Sequence, residues 1–591
     1  MYKKISTMMS KKQMASLYYF VFLSFITMIL ETTGIGLIIP LVQSIASDGM
    51  NQQFIEFLKI FNINPTSKNN LIFILTVIIG FVYTFKVLFL TYFAYAEAKL
   101  LSDLSVSLSN KLYDVYLNKP YSFHLNNNSA KLTRNIDEIA LVVGLVKASI
   151  LLITEVIVFL GIATFLIVYE PTGSMIVIFF LGFFGFIFFR NVQLNIKELG
   201  KIRQIHRASY LKFLREGLRS IRDIKILQRS NEMVRLFTSN NIILNLTELK
   251  RKFISALPRL WLEWLVVMSF IILITAMIFL NRDLQSIVAL LALFAAAAFR
   301  ILPSLTRIMT SIQNIIFFKP AIDTIYKEFG IKSNIENNVK NNKNKLPLAD
   351  EISLKNINFR YSDKDPILLK NINFKIKCGT TIGLIGESGA GKTTLINIIL
   401  GLIRPNSGSI EIDGANIEEN IKNWQNQIGY VPQDIYLIDD SIRNNIIFGI
   451  PKEKIDENHL DDVIEISQLK TFVNSLPDKL DTIVGNRGAR ISGGEKQRIG
   501  IARALYNQPK VMILDEATSA LDIDNENKIL EEIYQNKKDK TLIIVSHRNN
   551  TVKFCDSIYV MEEGKIIDNG SFQKIMQKHS YLKESINKKD E

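Results

Sequence analysis

The chain has 591 residues, 48% of them hydrophobic and 21% charged, and is too long to form one ordinary domain. Its formal net charge of +14 does not indicate a nucleic-acid-binding protein, because Lys and Arg crowd the long loops between alternate apolar segments, as in membrane proteins. The two cysteines, Cys378 and Cys555, are too few for a disulfide framework and fit a reducing cytosol.

The apolar residues are concentrated in the first half of the chain, in runs close to the roughly 20 residues that a helix needs to cross a bilayer. These runs predict six membrane spans, at Leu17–Ala46, Leu71–Ala96, Leu141–Val168, Met175–Val192, Ile254–Leu280 and Leu284–Ile316. The basic segment before the first span leads into a long apolar run without a clear cleavage site, so we expect this span to be retained. An even number of spans after a basic start predicts that both termini lie in the cytosol.

The long loops between the spans are helical in pattern. Residues 97–140 and 193–253 are basic and read as helical extensions of the spans, which would carry the membrane domain down to a soluble partner. We expect contact with that partner at turns near Pro120–Asn128 and Ile221–Arg229.

The loop after the first span has a short amphipathic stretch at Gln53–Phe61, with Phe54, Phe57, Leu58 and Phe61 on one helical face. It reads either as a short helix lying in the outer membrane interface or as a simple packed loop.

The stretch Ser333–Lys345 is rich in Asn and Lys and nearly free of apolar residues, which is typical of a linker. Strand and helix patterns alternate after it, as in an α/β domain. We therefore predict a membrane domain at residues 1–330, a linker at 331–348 and a soluble domain at 349–591. The sequence shows no second copy of either half, so any symmetry must come from pairing two chains.

A strand at Thr381–Ile385 leads into the sequence GESGAGKT and then into an apolar helix. The pattern G-x-x-x-x-G-K-T between a strand and a helix is a phosphate-binding loop, in which glycines let backbone N–H groups close around phosphate oxygens and the helix start adds its positive dipole end. Lys392 can reach the β- and γ-phosphates of ATP, and Thr393 can hold Mg²⁺. The predicted loop contains Gly386, Glu387, Ser388, Gly389, Ala390, Gly391, Lys392, Thr393 and Thr394.

A second apolar strand ends in two acids, Asp515 and Glu516. Asp515 would contribute to Mg²⁺ binding and Glu516 would polarise the attacking water. Between the two strands, the turn Ser492-Gly493-Gly494 opens a helix and predicts a second anion-binding helix start.

These motifs, in this order, resemble the ATP-binding cassette (ABC) transporters, whose signature is usually Leu-Ser-Gly-Gly-Gln. This chain has Ile491 and Glu495 at the outer positions of the signature and keeps the Ser-Gly-Gly core. The resemblance covers essentially the whole chain. It implies a type I exporter fold (type IV transporter), in which a six-span helical membrane domain precedes an α/β P-loop nucleotide-binding domain.

The same resemblance implies roles for residues outside the two main motifs. Tyr361 would stack on adenine, Gln433 would sense the γ-phosphate and help to hold Mg²⁺, and His547 would contact the γ-phosphate. In such transporters two chains sandwich two ATP molecules, so Ser492–Glu495 of one chain faces the phosphate loop of the other and Asp522 lies in the contact loop. The resemblance therefore implies a homodimer that uses ATP and Mg²⁺, and a heterodimer with a related chain stays open.

Charged residues within apolar spans are costly and tend to be functional. The charges in or at the ends of the predicted spans include Glu31, Lys86, Lys147, Glu155, Glu263, Arg300 and Arg307. Arg300 and Arg307 are seven residues apart, on one helical face, and Arg259 stands at the start of the fifth span. A cationic belt of these three arginines and Lys86 would suit a phosphate or pyrophosphate headgroup. The alternative is snorkelling, or salt bridges with Glu31 or Glu263.

These charges, and the sequences LPRLWLE and FRILPSLTRI, resemble the bacterial lipid-linked oligosaccharide flippases of protein N-glycosylation. This resemblance implies ATP-driven flipping of a polyprenyl-pyrophosphate oligosaccharide across the bacterial inner membrane. The alternatives are a general lipid exporter of the lipid A type and a drug or peptide exporter. We expect no leader-cleaving peptidase activity, since no peptidase domain precedes the first span. A channel that uses ATP only for regulation is disfavoured by the intact Glu516 and His547.

Overall fold

The computed structural model describes residues 2–46, 65, 67–279, 284–330, 348–517, 523–535, 540–546 and 548–579. The chain divides into two compact units. The helical unit contains Met1–Lys119 and Phe123–Ile335, and the α/β unit contains Pro120–Ser122 and Glu336–Glu591. Residues 331–347 of the predicted linker and the stretch Gln53–Phe61 lie outside the described residues.

The described residues of the first part of the chain form helices that are joined by short turns. Its helices are α1 (Tyr2–Met8), α2 (Lys11–Gly36), α3 (Ile38–Ala46), α4 (Lys68–Leu117), α5 (Tyr121–Asn126), α6 (Ser129–Asp137), α7 (Ile139–Tyr169), α8 (Pro171–Arg219), α9 (Ile221–Ile226), α10 (Ser230–Phe279) and α11 (Leu284–Gly330). In the described part of the chain, five helical segments are long and apolar enough to cross a membrane, and Pro171–Ile187 is a shorter apolar helix. Each of the six predicted spans overlaps one of these segments, and the first, fourth and sixth spans extend a few residues beyond theirs.

The first predicted span is not one continuous helix. It is divided between α2 and α3, with Leu37 as the C-cap residue of α2. Pro40 explains the break, since it has no N–H to donate to the carbonyl of Gly36 and so removes one bond of a continuous helix. The predicted first span, Leu17–Ala46, therefore consists of two helices separated at Leu37.

Four helices are much longer than a bilayer is thick. α4 and α10 have 50 residues each, α8 has 49 and α11 has 47. At about 1.5 Å per residue, such helices are roughly 70–75 Å long, more than twice the hydrocarbon thickness. Both predicted loop regions are thus mostly continuous helix, and the predicted turns contain the six-residue helices α5 and α9.

The core of the helical unit is built around α7, which packs against α2 and α11. On α4, Leu104, Leu108 and Leu112 recur every four residues and are fully buried. They belong to one apolar cluster with Leu145 of α7 and Ile325 of α11. The spacing of four keeps these leucines on one face, which is why this part of α4 packs inward.

The α/β unit contains two sheets. Its strands are β1 (Glu351–Phe359), β2 (Leu369–Lys377), β3 (Thr381–Gly386), β4 (Ser407–Ile412), β5 (Ala415–Asn416), β6 (Ile428–Val431), β7 (Val511–Asp515), β8 (Thr541–Val545), β9 (Ser557–Glu562) and β10 (Lys565–Gly570). An antiparallel sheet has the order β2-β1-β4-β5, and a second sheet has the order β10-β9-β3-β8-β7-β6. In the second sheet β9, β3, β8, β7 and β6 are parallel, and β10 is antiparallel to β9.

Nine described helices surround these sheets. They are α12 (Lys392–Ile399), α13 (Ile421–Gln425), α14 (Ile442–Ile446), α15 (Glu457–Ile466), α16 (Lys470–Ser475), α17 (Gly493–Tyr506), α18 (Ile523–Gln535), α19 (Asn549–Val552) and α20 (Phe572–Lys578). Every residue of β3, β7 and β8 is buried, as expected for a parallel sheet covered on both faces. The carboxyl ends of these strands therefore meet at one edge, where ligands bind in open α/β sheets.

The three tryptophans lie in two different environments. Trp424 in α13 is completely buried, and its indole N–H donates to the carbonyl oxygen of Ile399 at 2.7 Å, at the end of α12. Trp261 and Trp264 in α10 are about half exposed, with their ring centroids 6.1 Å apart. This hydrogen bond links α13 to α12, the helix that follows the phosphate-binding loop.

Candidate functional site

The phosphate-binding loop connects the end of β3 to the start of α12. Gly386 has φ 155°, and a Cβ there would lie only 2.2 Å from the carbonyl oxygen of Met561 in the neighbouring strand β9. Gly391 has φ 99°, in the left-handed region, and caps α12. Both positions therefore require glycine, one for close approach and one for backbone conformation. They give the loop the curvature that lets its N–H groups converge on an anion.

Lys392 lies at the centre of this loop and is only 7% exposed. Its ammonium group donates to the carbonyl oxygens of Gly386 and Glu387, at 2.8 and 2.9 Å. These two bonds hold the charge over the loop that would surround a phosphate. A buried cation between a glycine-rich turn and a helix start fits the triphosphate of ATP.

The two threonines after Lys392 point to different sides. Thr393 is exposed, which leaves its hydroxyl available to a metal ion, whereas Thr394 is buried. The Thr394 hydroxyl hydrogen-bonds to the hydroxyl of Tyr361 at 3.1 Å. The Tyr361 ring is 55% exposed and is in edge contact with Phe359, with ring centroids 5.0 Å apart. Its position next to the loop and its exposed ring suit the predicted stacking on adenine.

The two acids follow β7 at the same edge of the sheet, as predicted. Asp515 is 3% exposed, and the Tyr430 hydroxyl donates to its Oδ2 at 3.4 Å. Burial, and secondarily the charge of Glu516, raise the pKa of Asp515 above its usual value, while Lys392 acts in the opposite direction. A bound cation would stabilise the charged carboxylate of Asp515 in this buried position, which suits its predicted role in Mg²⁺ binding.

Glu516 is held in an uncommon conformation. Its φ is 48°, in the left-handed region that non-glycine residues rarely occupy, and its N–H donates to the carbonyl oxygen of Val545 at 2.9 Å. The Gln433 amide donates to Glu516 Oε2 at 2.6 Å. Sequence analysis predicted functions for both residues but missed this contact between them. Such strain at a functional position is typical of a side chain that must be aimed precisely at a ligand.

The signature segment forms the start of α17. The Ser492 Oγ accepts from the backbone N–H of Glu495 at 3.3 Å, and the Glu495 carboxylate accepts from the backbone N–H of Ser492 at 2.6 Å. This is a reciprocal capping box, which the spacing Ser-x-x-Glu makes readable from sequence but which sequence analysis missed. Glu495 therefore has a structural role at this signature position that Gln could also fill, and Gly493 and Gly494 complete the first turn.

Replacing Glu495 by Ala is expected to destabilise α17 by about 1 kcal/mol, since it removes one half of the capping box. In a domain of this size, that loss corresponds to about 2–4 °C in the midpoint of thermal unfolding. Glu495→Gln retains an oxygen acceptor and is expected to stay within about 1 °C of the parent by differential scanning fluorimetry. Equal midpoints for the Ala and Gln variants would contradict the capping role.

Two predicted site residues, Asp522 and His547, lie outside the described residues. Their assigned contacts with the partner chain and with the γ-phosphate stay predictions.

The intramembrane charges form a network between four helices. Lys86 Nζ lies 2.8 Å from Glu31 Oε2, and Arg300 Nε lies 3.0 Å from the same oxygen. Arg300 Nη1 is also 3.4 Å from Glu155 Oε2, and Arg307 Nη1 is 2.7 Å from Glu155 Oε1. Glu31 and Glu155 are 5% and 2% exposed. Three cations thus share two buried carboxylates, which leaves one positive charge in excess.

Ser304 completes this network, since its hydroxyl donates to Glu155 Oε2 at 2.6 Å. Arg259 belongs to a different pair, with its guanidinium 2.8 Å from Glu263 on the same helix and its side chain 71% exposed. The structure therefore joins three of the four residues predicted for the cationic belt. Glu155 was noted in the sequence only as a charge within an apolar run, and its role as the bridging acid was missed.

Comparisons with known proteins agree with this fold. Residues 369–519 match the family model described as "ABC transporter". Over 98% of its length the chain superimposes on a solved bacterial Atm1-family ABC exporter with ATP bound, covering 99% of that chain with a TM-score of 0.74 and 20% sequence identity. The predicted fold class is confirmed: the chain has the fold of an ABC exporter, with a helical membrane part and an α/β nucleotide-binding part.

Sequence relatives are found among exporters with different named roles. The chain is 39% identical over 230 residues to the ATP-dependent lipid A-core flippase of Wigglesworthia glossinidia brevipalpis, covering 39% of this chain and 39% of the relative. It is 40% identical over 233 residues to the Toxin RTX-I translocation ATP-binding protein of Actinobacillus pleuropneumoniae, covering 39% and 32%. It is 38% identical over 269 residues to Multidrug resistance protein 1 of Entamoeba histolytica, covering 45% and 20%. The chain spans less than half the length of each of these relatives.

Proposed function

We propose that the protein is an ATP hydrolase coupled to transport, and that it forms one half of a dimeric exporter in a bacterial inner membrane with both termini in the cytoplasm. The observation that carries this proposal is the arrangement at one edge of the parallel sheet. The phosphate-binding loop follows β3, and the acidic pair Asp515 and Glu516 follows β7, with β8 between the two strands. The charge of Lys392 acts on Asp515 across this edge.

In this proposal, different residues of the site bind ATP, bind Mg²⁺ and activate the attacking water. The loop N–H groups and Lys392 would hold the phosphates of ATP, and Tyr361 would hold the adenine. Thr393, Gln433 and Asp515 would hold Mg²⁺, which supplies charge neutralisation at the phosphates. Glu516, oriented by Gln433, would polarise the attacking water.

A second copy of the chain completes the site in this proposal. The start of α17 carries exposed Ser492 and Gly493, and its helix N-terminus would face the phosphates held by the partner's loop. ATP binding would then close two chains on each other and hydrolysis would let them separate. A homodimer is the simplest assembly, because this chain contains both the phosphate-binding loop and the signature segment.

For the substrate we propose a polyprenyl-pyrophosphate-linked oligosaccharide, flipped from the inner to the outer leaflet. The excess positive charge of the intramembrane network supports a phosphate-bearing headgroup, and the Arg307 side chain is 53% exposed although it pairs with a buried acid. The relatives named above favour the second candidate, a general lipid or drug and peptide exporter, of which the lipid A-core flippase is the relevant example.

Flipping in reconstituted vesicles tests these proposals. We expect ATP-dependent movement of a polyprenyl-pyrophosphate sugar with the parent chain and none with Glu516→Gln. Movement of a lipid A precursor but not of the polyprenyl-pyrophosphate sugar would favour the second candidate. Transport by the Glu516→Gln chain would contradict coupling to hydrolysis.

Replacing Arg307 by Gln is expected to lower flipping at least about tenfold while basal ATP hydrolysis stays within about twofold, since a charge-assisted contact with the headgroup is lost. The triple replacement of Arg259, Arg300 and Arg307 by Ala is expected to abolish flipping. Lys319→Gln is the matched control, because Lys319 is an exposed cation on the same helix. Normal flipping by the triple variant would rule out the cationic belt.

A further inference from the structure

A polar cavity in the helical unit is lined by none of the residues that form the nucleotide site or the intramembrane charge network. It has a volume of about 250 Å³ and lies between α8 and α10. Arg203 and Arg207 line it from α8, and Glu248 lines it from α10. The two arginines are four residues apart, so their side chains lie one above the other on the same helix face.

Neither arginine has a hydrogen bond or an ion pair with any residue that the structure describes. Instead, the Arg203 guanidinium lies 6.0 Å from the centre of the Phe317 ring, and the Arg207 guanidinium lies 5.3 Å from the centre of the Tyr210 ring. Aromatic faces orient a guanidinium but offer it no acceptor oxygen. The ten N–H donors of the two groups are therefore left to solvent or to a ligand.

The acids near these arginines do not satisfy them. Glu248 is already paired with Arg251, whose Nε and Nη2 lie 3.0 and 2.5 Å from its two oxygens. Glu138 is 3% exposed, and its charge acts on Arg203 and Arg207, but neither of its oxygens has a hydrogen-bond partner among the described residues.

The balance of charge around the cavity is positive. The lining acid Glu248 is paired with Arg251, so the two positive charges of Arg203 and Arg207 are opposed only by the charge of Glu138 among the described acids that act on them, which leaves an excess of one positive charge. Arg134 and Asp137, which also act on Glu138, carry opposite charges and cancel. Burial lowers the pKa of Arg203, because its charge has lost part of its hydration. An anion entering the cavity would restore the lost interactions.

We propose that this cavity binds a phosphate or pyrophosphate group through the guanidinium groups of Arg203 and Arg207. Planar guanidinium groups match phosphate oxygens with pairs of parallel hydrogen bonds, and two of them one turn apart match two adjacent phosphates. The group is either part of a soluble phosphate compound or the headgroup of a polyprenyl-pyrophosphate lipid. In the second case the site rests on the proposed function and gives the substrate a second contact, apart from the network of Lys86, Arg300 and Arg307.

The test measures binding without hydrolysis, so that it does not depend on the transport cycle. The full chain carries Lys392→Met in all samples to weaken phosphate binding by the nucleotide site, and it is placed in lipid nanodiscs. One arm titrates inorganic pyrophosphate by calorimetry. The other arm measures binding of a polyprenyl pyrophosphate incorporated into the nanodisc. In whichever arm the parent chain binds its ligand, the double variant R203Q/R207Q is expected to bind it at least about tenfold more weakly.

Two matched variants make the result specific. K201Q/R219Q removes two exposed cations from the same helix and is expected to leave the affinity within about twofold of the parent. E138Q removes the carboxylate that competes with the anion and is expected to tighten binding severalfold. Thermal unfolding checks that each variant is folded, and R203K/R207K is expected to recover part of the affinity because it keeps both charges.

The arms distinguish the two sources of the ligand. Binding of soluble pyrophosphate that is lost in R203Q/R207Q supports a soluble phosphate compound, and binding only of the lipid that is lost in the same variant supports a lipid headgroup. Equal affinities of the parent and R203Q/R207Q in both arms, or no binding by the parent in either, would overturn the proposal. An E138Q affinity no tighter than the parent's would likewise place the anion elsewhere. Failure of flipping with intact pyrophosphate binding would count against the proposed substrate and not against this site.

Discussion

Replacing Glu516 by Gln is expected to slow ATP hydrolysis by about 10²–10⁴-fold, the range typical for loss of a general base. The substitution keeps the size of the side chain and removes only its ability to accept a proton from water. Because Glu516 is not part of the loop that would hold the phosphates, nucleotide affinity is expected to stay within about twofold of the parent. Phosphate release at saturating ATP and binding of a fluorescent ATP analogue measure the two effects separately.

The control for this substitution is Glu563→Gln. Glu563 is exposed in the turn between β9 and β10 and has φ 44°, so it undergoes the same chemical change in the same backbone region. Its hydrolysis rate is expected to equal that of the parent. If Glu516→Gln lowered the rate less than tenfold, Glu516 would not be the general base, and the roles given to Gln433 and Glu516 together would need revision.

Replacing Lys392 by Met is expected to weaken ATP binding by about 10- to 100-fold. The rate of hydrolysis at low ATP concentration is expected to fall by a similar factor, because fewer sites are occupied. The ammonium group would supply charge-assisted hydrogen bonds to phosphate oxygens, each worth about 1.5–3 kcal/mol. Met fills a similar volume, so the loop is expected to keep its shape, although the carbonyls of Gly386 and Glu387 lose their donor. Equilibrium binding of ATP at a fixed Mg²⁺ concentration measures the effect.

Lys377→Met serves as the matched control, since Lys377 is an exposed lysine at the end of β2 in the same unit. It is expected to bind ATP as the parent does. ATP affinity that is unchanged in Lys392→Met would mean that the buried ammonium group stabilises only the empty loop and contributes nothing to nucleotide recognition.

The α/β unit could be predicted closely because its determinants are local. The strand predicted at Thr381–Ile385 is β3, one residue longer, and the predicted motif occupies the turn between β3 and α12. The glycines of the motif are needed for backbone reasons that hold wherever this turn occurs. Phosphate binding therefore follows from the order of residue types alone.

Contacts between distant residues could not be predicted in the same way. The acids Glu31 and Glu155 are visible in the sequence as costly charges, but which cation each one meets depends on how α2, α4, α7 and α11 pack against one another. Apolar helices in a membrane have many similar ways to pack, so spacing along one helix does not specify its neighbours. The same reason explains why Gln433 and Glu516 were assigned separately although they touch.

The first span shows a third kind of difference. The span is apolar along its whole length. Hydropathy is averaged over a window of residues, and a single proline hardly changes that average. The separation of α2 from α3 depends on the backbone N–H that Pro40 lacks. Prolines within α10 and α11 do not interrupt those helices, so a proline alone does not predict where a span divides.

The tryptophans of the two units differ in solvent exposure, so their fluorescence can be told apart. Trp424, sealed from water and bonded to the end of α12, would emit at short wavelength, while the half-exposed pair on α10 would respond to lipid or detergent. With both α10 indoles changed to Phe, the remaining emission would come from the α/β unit alone, since the chain has three tryptophans in total. If α12 moved away from Trp424, water would reach the indole and its fluorescence emission would shift to longer wavelength. This shift could be measured in the full-length chain.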